Sequence, residues 1–64
     1  MNLAQYYAKN VSIHTDIGTM FSGKVTDYIY PDENENGKES IVIRCADGSL
    51  VEFYEEDIVS IRFL

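Results

Sequence analysis

The chain holds one cysteine, one proline, one histidine and no tryptophan among its 64 residues, and only five lysines and arginines. A single cysteine, Cys45, excludes an internal disulfide and points to a reducing compartment. With one histidine and one cysteine there is no ligand set at zinc spacing, and a core this small has no covalent or metal staple behind it. No apolar run approaches the roughly 20 residues of a membrane span, and the opening residues lack the basic stretch and apolar run of a signal peptide. A soluble cytoplasmic protein without a membrane partner is expected. Neither a P-loop, a GxGxxG run nor a nucleophile elbow is present, so no catalytic residue, cofactor site or metal site is expected, and the chain reads as non-enzymatic.

What it has in excess is acid. Eleven Asp and Glu give a net charge of −6, and ten of them fall between Asp27 and Asp57, where Lys38 and Arg44 are the only cations. That surface repels phosphate backbones, which disfavours RNA as a partner and favours a protein partner with a basic surface.

The hydrophobic pattern is that of strands. Asn2 and Gln5 stand as a short capping box, and Leu3, Tyr6 and Tyr7 lie near helical spacing, so residues 3–9 predict a short N-terminal α-helix ending at Asn10. Val11, Ile13, Thr15 and Ile17 then alternate with polar residues as a first strand with one buried face. Gly18 turns the chain into a long second strand, with Phe21, Gly23, Val25, Asp27 and Ile29 on one face. An inward Asp27 predicts a bulge there, and Gly23 a close backbone approach or sharp curvature. Pro31 ends the strand, and residues 32–38 form a polar loop with Asn36-Gly37 at its turn. Ile41 to Cys45, Leu50 to Tyr54 and Ile58 to Phe63 are three more strands, joined by Asp47-Gly48 and by the short acidic step Glu55-Glu56-Asp57. The expected fold is mainly β: one domain over residues 1–64, a five-stranded antiparallel small barrel of Sm-like or SH3-like type behind a short helix.

Gly18-Thr19-Met20-Phe21-Ser22-Gly23-Lys24-Val25 resembles the first motif of the Sm-like (LSm) small-barrel family, and Phe53 to Ile61 resembles its second. The resemblance implies a barrel and, as the alternative function, a divergent LSm-type RNA-binding protein. RNA-binding members carry Arg-Gly before the last strand, where this chain has Tyr54 and Glu55. In acidity and strand order the chain is also similar to the small acidic inhibitors of the Rho terminator, a likeness that implies protein binding.

Asp32-Glu33-Asn34-Glu35-Asn36-Gly37 matches the first half of a calcium loop, but Ile43 stands where the bidentate glutamate belongs, so the segment reads as a turn. His14 falls on the polar face of the first strand and Cys45 on the apolar face of the third, which separates them as a nucleophile pair. By alternation Tyr28, Tyr30 and Tyr54 fall on the non-core face. With Glu55 and Glu56 they form the expected partner-binding surface, an aromatic patch ringed by acids that suits an arginine or lysine of a partner. The apolar end Ile61-Arg62-Phe63-Leu64 leaves a strand edge unguarded, which predicts a homo-oligomer by strand addition or apolar packing.

Overall fold

A computed structural model describes all residues, 1–64. Five strands follow the expected order: β1 (Asn10–Thr15), β2 (Met20–Ile29), β3 (Ser40–Arg44), β4 (Leu50–Tyr54) and β5 (Ile58–Phe63). Every pairing is antiparallel, and the strands make one sheet in the order β4-β3-β2-β1-β5. No ladder joins the two ends, so the five strands form an open sheet where a five-stranded small barrel is expected from the sequence. It cannot be flat. Four strand spacings would hold the edges of a flat sheet ~19 Å apart. Yet β4 and β5 are joined by the 3₁₀ turn Glu55–Asp57 alone. The four steps from Tyr54 to Ile58, at the ~2 Å rise of a 3₁₀ helix, advance only ~8 Å, so the sheet curls until its edges approach.

Alternation sets the core. Leu3, Tyr6, Val11, Ile13, Val25, Ile41, Ile43, Phe53 and Ile58 form one buried cluster, with Phe21, Tyr28, Cys45, Val51 and Ile61 packed around it. Phe21 meets Phe53 edge-on at 5.1 Å. Cys45 thus sits against the core as a small apolar side chain, and His14 is exposed, both as alternation requires. Gly23 lies where the end of β3 presses on β2: a Cβ there would collide with the Arg44 carbonyl and come within 3.3 Å of Cys45 Cα. No side chain fits between these backbones.

Three expectations are corrected. The N-terminal segment is a 3₁₀ turn over Leu3–Tyr6, not an α-helix over 3–9. Its three-residue repeat still buries Leu3 and Tyr6 together, since i and i+3 eclipse in a 3₁₀ helix. The helix has no room to continue, because the Ala8 amide donates to the Val25 carbonyl (3.0 Å) and the Val25 amide to the Lys9 carbonyl (2.9 Å). The left-handed residue that turns the chain is Ala8 (φ 66°), and Asn10, the expected terminator, begins β1 instead. Finally, β1 stops at Thr15. The Thr15–Gly18 turn, closed by Gly18 N–H on the Thr15 carbonyl at 3.1 Å, leaves Ile17 81% exposed at its tip.

Candidate functional site

The irregularity expected at Asp27 is present, and it reassigns the tyrosines. The β2–β3 register shifts between Val25 and Asp27, so one extra residue stands on β2 at Thr26. A one-residue slip sends every later side chain to the other face. Asp27 therefore turns outward and is exposed. Tyr28 comes to lie opposite Ile41, which lies opposite Phe53, and so joins the core side. It is half-buried and packs on the core cluster.

Tyr54 does not follow. It lies opposite Ser40, which pairs with Ile29 on the outer face. Tyr28 and Tyr30 are thus on one side of the sheet and Tyr54 on the other, and the single three-tyrosine patch expected on the non-core face is not formed. Glu56 is exposed on the turn after β4 and lines no pocket with the tyrosines. Glu55 does come near Tyr28, close enough for its charge to act on the phenol.

The structure gathers a different set. Tyr28 and Tyr30 meet edge-to-face, with ring centroids 5.2 Å apart and planes at 84°. Tyr7, exposed at the end of the N-terminal turn, faces them across a pocket of about 420 Å³ completed by Ala4 and Asp27. Three aromatic rings and one carboxylate thus line one shallow cavity, and aromatic ring faces carry negative potential.

Glu39 supports this pocket from beneath. Only 9% exposed, it accepts a hydrogen bond from the Leu3 amide at 2.9 Å, fixing the N-terminal turn to the start of β3. The Glu55 amide in turn donates to the Glu39 carbonyl at 3.3 Å. The Glu55 carboxylate lies 3.5 Å from the Met1 ammonium, the sole ion pair of the chain. Partial burial first, then the Glu39 carboxylate with smaller contributions from Tyr30 and Glu55, pushes the Tyr28 phenol above its ordinary pKa. All of these disfavour the phenolate: burial does so through desolvation, and the Glu39 and Glu55 carboxylates through the negative potential they place at the phenol.

Tyr7, Asp27 and Glu39 lay outside the expected site, although each left a sign in the sequence. Tyr7 follows two residues that bury at three-residue spacing, which turns it outward. Asp27 was the misfit of β2. Glu39 stands two residues before buried Ile41 and shares its parity, a sign obscured by the polar loop around it.

That loop is closed by its own side chains. The Asn34 amide donates to the Lys38 carbonyl (2.7 Å) and the Ser40 hydroxyl (3.0 Å), and Ser40 donates to Glu52 (2.8 Å). Asn34, third in the calcium-like spacing, is thereby occupied in holding the turn, while Asp32, Glu33 and Glu35 are exposed. Nowhere do three His, Cys, Asp or Glu side chains converge as metal ligands. No helix is long and apolar enough to cross a membrane.

No family model matches the chain, and no curated protein matches its sequence. Among solved structures it is similar to a chain from work on the activation of the Dcp1:Dcp2 mRNA decapping complex by Edc3 and Scd6. The TM-score is 0.70 at 22% identity. The likeness covers all of this chain and 60% of that one, and it is a likeness of fold.

Proposed function

We propose that this chain is a soluble, cytoplasmic, non-enzymatic protein-interaction module. It captures an arginine or lysine side chain of a partner protein in the pocket of Tyr7, Tyr28 and Tyr30. The observation that carries this reading is the perpendicular pair Tyr28–Tyr30 facing Tyr7 and Asp27 across one cavity, with Glu39 and Glu55 behind it. A cation seated there meets two ring faces and a carboxylate, and the net charge of −6 draws basic surfaces toward it. The solved neighbour comes from a multiprotein complex, in keeping with an interaction role for this fold. The strand order, with both edge strands joined by a 3₁₀ turn, supports an Sm-like reading of the curled sheet. Exposed Val59, Phe63 and Leu64 along edge strand β5 support self-association, and a monomeric mass by light scattering at micromolar concentration would remove that part.

The test is calorimetric titration with short arginine- and lysine-containing peptides. Tyr30 is 61% exposed, so Tyr30→Ser removes a wall with little effect on folding, and Tyr7→Ser does the same from the opposite side. Each ring face is worth ~0.5–2 kcal/mol to a bound cation, so each substitution should weaken binding ~2- to 30-fold. Unchanged affinity in both variants would dismiss the pocket.

A further inference from the structure

The outer face of the sheet carries a second site, of opposite sign. Residues directly paired across antiparallel strands share a face, as do residues two apart on one strand. The register therefore lays out three rows. Arg44, Lys24 and Asn10 lie across β3, β2 and β1; Ser22, Ser12 and Arg62 across β2, β1 and β5; Met20, His14 and Ser60 below them. Three of the five lysines and arginines and the lone histidine fall within this grid.

Lys24 directly opposes Arg44, and like charges placed so repel. No carboxylate lies within 4.0 Å of Lys24, Arg44 or Arg62, so none of the three is held in a direct ion pair. Lys24 and Arg44 border a depression of about 590 Å³ whose lining also includes Asn10, Ser22, Leu64 and small residues of β2 and the β3–β4 turn, and contains no Asp or Glu side chain. Arg62 and His14 border an adjoining one of about 400 Å³ with Ser12 and Ser60, also without an acid. In a chain with eleven acids, two neighbouring depressions carry three of the five lysines and arginines and no Asp or Glu side chain, with hydroxyls, an amide, an imidazole and apolar residues making up the rest of their linings.

The rest of the molecule limits what can sit there. The cationic rows are three strands wide, ~10 Å, which is close to the Debye length of ~8 Å at physiological ionic strength. Beyond them stand Asp47 on the β3–β4 turn, Glu52 on β4 and Asp16 after β1, all exposed. A long polyanion such as a nucleic acid strand would run from the cations into these carboxylates. A compact anion would not.

We infer that this face binds a small phosphorylated molecule. Lys24 and Arg44 straddle one phosphate, the Ser22 hydroxyl and Asn10 amide donate to its oxygens, and Arg62 reaches a second phosphate across Ser12. The site has its own lining residues but adjoins the tyrosine pocket, since Tyr7 also borders a depression with Lys24 and Arg44.

The probe is inorganic tripolyphosphate, followed by amide chemical shifts of the intact chain at low salt. Shifts confined to residues 10–12, 22–24, 44–46 and 60–62, with affinity about tenfold above that for orthophosphate, are expected if adjacent phosphates are bound together. The double variant Lys24→Gln, Arg44→Gln should lose at least about tenfold in affinity while its remaining amide spectrum stays native. The inference is overturned if tripolyphosphate causes no localised shifts at millimolar concentration. Shifts that persist undiminished in the double variant would overturn it too, as would a single-stranded oligonucleotide that binds more tightly than tripolyphosphate at equal phosphate concentration.

Discussion

Replacing Glu39 separates its two roles, as an anchor of the N-terminal turn and as a source of negative potential under Tyr28. Glu39→Ala removes the acceptor of the Leu3 amide, and Leu3 is fully buried, so its N–H is left without a partner and without water. An orphaned buried donor costs ~1–3 kcal/mol, and hydrogen bonds to charged groups sit toward the upper end. A domain of this size has a total stability of ~3–10 kcal/mol, so about 2 kcal/mol is a large share of it. At ~4–8 °C per kcal/mol, the midpoint of thermal unfolding should fall by roughly 8–16 °C. Glu39→Gln keeps a carbonyl oxygen for the Leu3 amide and removes only the charge, so its stability cost should stay below about 1 kcal/mol. Its mark should be on function, with weaker capture of cationic peptides. Circular-dichroism melts of the two variants, with amide exchange at Leu3, measure both effects. Equal destabilisation by Ala and Gln, or an Ala variant within about 0.5 kcal/mol of the parent, would refute the anchoring role.

Three further outcomes follow from the same geometry. Gly23→Ala drives a Cβ into the Arg44 carbonyl and should cost ~1–3 kcal/mol as an overpacked contact between two backbones, read as a lowered urea midpoint at unchanged slope. Ala8 holds φ 66°, a conformation that costs a non-glycine residue ~1–2 kcal/mol; Ala8→Gly should recover part of this against ~0.4–1 kcal/mol of unfolded-chain entropy, for a net gain up to about 1 kcal/mol in chemical unfolding. Tyr28, raised by burial and the Glu39 carboxylate, should ionise above the ordinary tyrosine range in an ultraviolet titration. Because its folded pKa exceeds its unfolded one, its contribution to stability is complete below the ordinary tyrosine pKa and is lost as pH rises through the folded value. Tyr28→Phe should therefore remove the late ionisation step and flatten the alkaline limb of the stability profile.

The strand pattern was legible in the sequence because it is local. Period-two alternation, Gly18, Pro31, Asn36-Gly37 and Asp47-Gly48 mark five strands and their turns through side-chain polarity and backbone freedom that each residue carries with it. The misfit at Asp27 announced the bulge in the same way, since an acid cannot face an apolar core unpaired. Gly23 belongs here as well, a residue whose only asset is the absence of a side chain.

Which faces the tyrosines occupy was decided by the tertiary structure. A bulge displaces one residue, but its effect is carried by pairing: once Asp27 lies opposite Val42, Tyr28 and Tyr30 pass to the core side while Tyr54, set by its own register with Ser40, does not. The N-terminal turn was shortened by contacts 16 to 36 residues distant, the Lys9–Val25 bond and the Leu3–Glu39 bond, which local propensity cannot register. The cationic rows were equally hidden, because Lys24, Arg44 and Arg62 are scattered along an acidic chain and meet only when three hydrogen-bonded ladders align them. Sequence alone determined the five strands and the turns between them, since those choices depend on each residue and its neighbours. The sheet's long-range register determined which side chains share a surface, since that depends on residues the chain brings together only by folding.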